Sequence, residues 1–163
     1  MIVFLGNPGK QYENTRHNIG FSLCDYIYHY ATFQNKFNSL FANEKGIKIL
    51  KPQTFMNNSG HSTQAAMSYF SINSDEILVV HDDLELPFGE VKVQQGGGLK
   101  GHNGLKSIKS HIKNDNFFRL RFGVGRPNHN NVSAFVLSNF DIDERAILPI
   151  YLDKACKLID KIT

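Results

Sequence analysis

Apolar residues fall along this chain in two rhythms, short unbroken runs and helical repeats, and the two alternate. Met1, Ile2, Val3, Phe4 and Leu5 form a continuous apolar run that ends at Gly6-Asn7-Pro8-Gly9. A run this short, bounded by turn residues, reads as a buried strand. From about Thr15 or Arg16 to Ala31, Ile19, Leu23, Ile27 and Ala31 recur at helical spacing, with Thr15 as a candidate cap. Residues 38–44 and 47–50 flank Lys45-Gly46 as a hairpin whose second strand ends at Pro52, and a helix is expected over Ser59 to Phe70. Glu76 to Val80 is a second buried strand, with His81-Asp82-Asp83 at its carboxyl end. Glu90 to Gln95 alternates as a half-exposed strand, and a glycine-rich stretch leads into a helix over Asn103 to Ile112. Phe117 to Val124 alternates again, placing Arg119 and Arg121 on one face. Asp141 with Glu144 opens a last helix whose inner face is read as Ile147, Ile150, Ala155, Leu158 and Ile162, with Pro149 as a kink or restart. Strands alternating with helices predict one α/β domain over residues 1–163.

With 163 residues, 41% hydrophobic and 20% charged, the chain suits a single core and shows no repeat or low-complexity linker. A formal charge of +3 permits an anionic partner but is too small for a purely electrostatic binder. Cys24 and Cys156 lack CxxC spacing and read as reduced thiols of a cytoplasmic protein. No signal pattern or membrane-length apolar run is present, so a soluble protein is expected.

The candidate chemistry gathers at element ends. Asn7 follows the first strand at the position where open α/β sheets place ligands. His17, in the first turn of the next helix, would feel the positive end of the helix dipole and stay neutral, a proton acceptor; a surface histidine beside a cap is the plainer reading. Asp82 is suited to orient an imidazole brought from another strand end. A metal site at His81-Asp82-Asp83 is disfavoured, because the carboxylates are adjacent and neither HxxxH nor HExxH occurs. Asn57 stands ahead of a helix, where a cap is its ordinary role, and Asn103 opens the helix after the glycine loop. That loop lacks both GxxxxGK[ST] and GxGxxG order, which argues against a nucleotide-dependent transferase. Arg119 and Arg121 could form a phosphate fork, although a solvated face is the default. A non-catalytic RNA-binding module would explain the basic balance but not His17, Asp82 and three asparagines at separate element ends.

Five stretches in order carry a resemblance: Gly6-Asn7-Pro8-Gly9 with Tyr12 and Thr15-Arg16-His17-Asn18; Lys51-Pro52, Thr54 and Met56-Asn57 with Ser59-Gly60; Asp82 with Leu84, Leu86-Pro87 and Gly89; Gly101-His102-Asn103-Gly104-Leu105; and Arg119-Leu120-Arg121 with Gly123 to Pro127. Together they resemble the bacterial peptidyl-tRNA hydrolases over nearly the whole chain. The resemblance implies a monomer with a mixed twisted sheet between helices, and hydrolysis of the ester joining a peptide to the 3′-terminal ribose of tRNA without metal or cofactor. It implies His17 as general base and Asp82 as its partner. Asn7, Tyr12, Phe55, Met56, Asn57 and Asn103 would contact substrate, with the oxyanion donor left open between Asn57 and Asn7. For tRNA phosphates it points to Lys92 and Arg121, joined by Lys100, Lys106 and Arg126 as further cations. The absence of GxSxG or a Cys-His pattern agrees with a water nucleophile. Lys100 and Glu85 depart from the family pattern, where glycine and aspartate are frequent, and the chain stops soon after Lys161, short of the longer members.

Overall fold

The structure is a computed structural model that describes residues 1–163. Seven strands form one sheet: β1 (Ile2–Phe4), β2 (Gln34–Lys36), β3 (Ser39–Glu44), β4 (Ile47–Pro52), β5 (Leu78–Asp83), β6 (Val91–Gln95) and β7 (Phe118–Gly123). Their order is β2-β3-β4-β1-β5-β7-β6. The four central strands β4, β1, β5 and β7 are parallel, while β2, β3 and β6 pair antiparallel at the flanks. The helices are α1 (Ile19–Ile27), α2 (Ser59–Phe70), α3 (Asn103–Ile112), α4 (Val132–Val136) and α5 (Ile142–Ile162).

The unbroken apolar run of β1 is explained by burial on both faces, as parallel central strands require. Ile2 and Phe4 join a core with Leu23, Val80, Leu120, Leu152 and Ile159 on the α1 and α5 side. Val3 and Leu5 join the opposite core with Val79, Ala66, Leu105 and Ile108 under α2 and α3. The mixed sheet is thus sandwiched between helices. On the α2 and α3 side the layers meet closely at Gly60, where a Cβ would lie 2.1 Å from the Ser107 carbonyl oxygen.

The bounds expected for α2 and α3 agree with the structure, and the hairpin turns at Lys45 and Gly46, both with positive φ. Four expectations are corrected. The first helix ends at Ile27 rather than Ala31, because the chain leaves the helix at Tyr28, whose ring packs edge-on to Phe4 at 6.1 Å. Thr15 is not a side-chain cap: its hydroxyl donates to the Tyr12 carbonyl, and a 3₁₀ turn at Arg16–Asn18 precedes α1. α5 runs without interruption through Pro149, which lies on the exposed side of the helix together with Arg145, the residue whose carbonyl loses its helical donor. Its inner face is Leu148, Leu152, Ala155, Leu158 and Ile159, so Ala155 and Leu158 face inward as expected, whereas Ile147, Ile150 and Ile162 are exposed. Both sets of α5 residues have helical spacing, and only the sheet selects between them. No helix is long and apolar enough to cross a membrane.

The sheet also sets the address of the site. β1 ends at Phe4 opposite Val80, so His81, Asp82 and Asp83 of β5 run on beyond it, paired only with β7. The chain leaves β1 toward β4 on one side and β5 toward β7 on the other, which makes the gap beyond β1 a topological switch point.

Candidate active site

Into that gap the Arg16–Asn18 turn delivers His17. Its Nδ1 lies 2.9 Å from Oδ1 and 3.0 Å from Oδ2 of Asp82. An ionised carboxylate only accepts, so Nδ1 carries the proton and donates, leaving Nε2 as the bare nitrogen. His17 lines a cavity of about 440 Å³ together with Asn7, Tyr12, Met56, Asn57 and Asn103.

Two opposing influences act on the His17 imidazole. Burial is the larger single one and pushes its pKa down, but the charge of Asp82 and its hydrogen bond together outweigh it, and the net shift is upward from 6.5. The expectation of a helix dipole holding the ring neutral is therefore corrected: a carboxylate in direct contact overrides the dipole. For Asp82, burial alone would raise the pKa; the two imidazoles beside it, His17 and His102, reverse this and hold the carboxyl well below its usual range.

The turns on either side of His17 are tied down. Asn18 bridges the loop after β1, accepting from the Asn7 N–H at 2.8 Å and donating to the Asn7 carbonyl at 2.9 Å. Asn7 Oδ1 accepts the Met56 N–H at 2.7 Å, which fixes the Asn7 amide and leaves its Nδ2 without a protein partner. Arg16 is buried and donates to Ser138 Oγ, the Asn139 carbonyl and Glu144, with its guanidinium 4.3 Å from the Phe135 ring centroid. The His17 turn is thereby held between β5 and the segment from α4 to α5.

The other expected residues divide. Asn57 and Asn103 line the cavity exposed, Asn57 from the middle of a 3₁₀ turn over Met56–Asn58 and Asn103 from the first position of α3, and Asn57 is not a cap: Asn58 precedes α2. Phe55 stands outside the cavity wall with its ring edge toward Tyr12 at 6.3 Å and a positive φ of 55°. Lys100 lines the cavity mouth. Lys92 is exposed on β6 and pairs with Glu90, while Arg126 pairs with Glu85. The Arg119–Arg121 fork is not formed. Arg119 is buried and gives its guanidinium to the carbonyls of Gly96 and Gly98, bracing the glycine loop, whereas Arg121 holds Asp83 at 2.7 Å and Gln94 at 3.0 Å.

His102 was missed by the sequence reading. Its Nε2 lies 2.8 Å from Asp82 Oδ1, and its Nδ1 accepts from the Gly104 and Leu105 N–H groups at the start of α3. Its place directly before a helix start, a capping position, was the available signal. One ligand atom each from His17, Asp82 and His102 falls within 4.8 Å of the others, a spacing that could suit a metal. Because His102 Nδ1 accepts two backbone donors, Nε2 holds the proton and has no lone pair to give a metal; the residues present are matched to proton sharing.

An aspartate-held imidazole opening on a cavity at the switch point of an α/β sheet is the arrangement of a hydrolase site suited to general-base chemistry. The sequence profile described as peptidyl-tRNA hydrolase matches residues 1–163. Peptidyl-tRNA hydrolases from Sorangium cellulosum and Geotalea daltonii are 45% and 42% identical, each over 98% of this chain and over 76% and 87% of their own lengths. The crystal structure of the Acinetobacter baumannii peptidyl-tRNA hydrolase superposes with a TM-score of 0.88 at 36% identity, covering 96% of this chain and 84% of that one. The chain belongs to the peptidyl-tRNA hydrolase family.

Proposed function

We propose that this chain hydrolyses the ester between peptide and terminal ribose of peptidyl-tRNA with His17 as general base. The observation that carries this reading is the Asp82–His17 pair, which leaves Nε2 unprotonated and open to the cavity. Nε2 takes a proton from water as the water oxygen attacks the ester carbonyl. Asp82 stabilises the imidazolium formed. The tetrahedral intermediate then expels the ribose oxygen, which recovers the proton from His17.

The exposed amides of Asn57 and Asn103 and the free Nδ2 of Asn7 are donors suited to peptide carbonyls or to the oxyanion. Tyr12, Met56 and Phe55 supply apolar contact at the wall and rim. Lys92, Lys100 and Arg121 are assigned to tRNA phosphates, Arg121 through the part of its guanidinium not spent on Asp83 and Gln94. The chain is read as one monomeric domain working in the cytoplasm, where tRNA is charged and used.

Turnover of peptidyl-tRNA by wild type and His17→Ala, with deacylated tRNA as the product measured, tests the assignment. Loss of turnover in a folded His17→Ala protein supports it; near-normal turnover overturns it.

A further inference from the structure

The carboxylate that orients His17 is not its alone. Asp82 Oδ1 lies 2.9 Å from His17 Nδ1 and 2.8 Å from His102 Nε2. The His102 proton is fixed at Nε2 by the backbone: Nδ1 accepts from Gly104 N at 3.1 Å and Leu105 N at 3.3 Å, the two amides that a helix start leaves unpaired. The ring side chain is only 8% exposed, and its centroid is 5.0 Å from that of His17. A neutral histidine locked as a donor therefore competes with the base for one oxygen.

Rested on the reading of His17 as general base, we propose that His102 is a positioning residue that divides the Asp82 carboxylate between two imidazoles. Two consequences follow for the reaction. A second N–H bond to Asp82 withdraws part of its negative charge from His17, so the imidazole is not locked as a cation and remains able to accept a proton near neutral pH. The same bond fixes the carboxylate plane, and with it the direction of Nε2. Because the donor is also the cap of α3, the helix start that presents Asn103 and the orientation of the base are set by one ring.

The other titratable and charged groups around the pair do not duplicate this. His81 on β5 donates Nδ1–H to the Asp82 carbonyl and has no partner at Nε2. Asp83 on β5 is taken by Arg121 of β7, and Arg119 of β7 by glycine carbonyls. Arg16 faces away toward Glu144, and Tyr12 stands at the cavity wall.

The test separates capping from carboxylate sharing. His102→Asn and His102→Ser can both cap α3 but are too short to reach Asp82, whereas His102→Gln keeps an amide donor of about the right reach. The protonation of His17 is read by NMR titration of labelled histidine, beside the pH profile of kcat/KM. In the Asn and Ser variants the His17 midpoint should rise by about one pH unit, the scale of one lost hydrogen bond to a charged group. In His102→Gln it should return toward wild type. A His17 midpoint unchanged in both short variants overturns the proposal. A midpoint that rises while the acid limb of kcat/KM stays in place upholds the sharing and refutes His17 as the base.

Discussion

His17 Nδ1 and the Asp82 carboxylate, 65 positions apart in sequence, meet at 2.9 Å with both oxygens in reach of one N–H. This contact determines which ring nitrogen is free and in which direction the proton affinity of the imidazole is displaced. For His17→Gln, turnover should fall by about 10²- to 10⁴-fold, the usual contribution of general base catalysis, with the thermal midpoint little changed. Single-turnover hydrolysis of peptidyl-tRNA, run beside a melting curve, reads both.

Asp82→Asn removes the charge that lifts His17 and leaves the burial that depresses it. The acid limb of kcat/KM, which in wild type should lie above the ordinary histidine value of 6.5, should move to lower pH while the maximum rate drops. A profile that moves to higher pH would contradict the electrostatics assigned here.

Salt dependence should distinguish phosphate contacts from chemistry. Lys92→Ala should raise KM for peptidyl-tRNA and reduce the salt slope by about one counterion, with kcat unchanged. A short peptidyl-nucleotide lacking the tRNA body should be cleaved equally by wild type and variant. Arg121→Ala should add a stability loss of about 1–3 kcal/mol, because buried Asp83 loses a charged partner. Denaturant midpoints of the two variants check the contrast.

His81 is buried, and burial, reinforced by the neighbouring His102, lowers its pKa to about 3. The unfolded chain takes up this proton near 6.5 and the native chain does not, so native stability should fall as pH drops from 6.5 toward 3. His17 acts in the opposite sense: its raised pKa stabilises the fold fully below 6.5, and that contribution is lost as pH rises through the raised value. Replacing His81 by Gln should lessen the acid loss, by up to about 1.4 kcal/mol per pH unit across the window. Urea midpoints measured from pH 7 to pH 4 provide the comparison; equal acid slopes for the two proteins would exclude the assignment.

Local pattern made the elements legible where sequence and tertiary packing agree. Ser59 to Phe70 and Asn103 to Ile112 are bounded in the structure where their spacing and turn residues end them. The Lys45-Gly46 turn was readable from its dipeptide. What escaped reading depends on partners distant in sequence. The face of α5 is chosen by the sheet between two equally periodic sets. Arg119 looked like a surface cation because its acceptors, the Gly96 and Gly98 carbonyls, are main-chain atoms of another element. His102 could be recognised as a cap, but its bond to Asp82 requires knowing that α3 starts at the end of β5. His17 and Asp82 were legible as separate candidates; their distance was not.

The anchoring of Arg16 bears on when the site comes into being during synthesis. Its hydrogen-bond partners at Ser138, Asn139 and Glu144 lie 122, 123 and 128 residues downstream. Asp82 and His102 can therefore emerge from the ribosome while the turn that carries His17 still lacks its clamp. A chain arrested before residue 138 would have every side chain of the proposed chemistry and an unsecured His17. Docking of residues 138–144 should thus be the step that secures the site, long after its reacting side chains have been made.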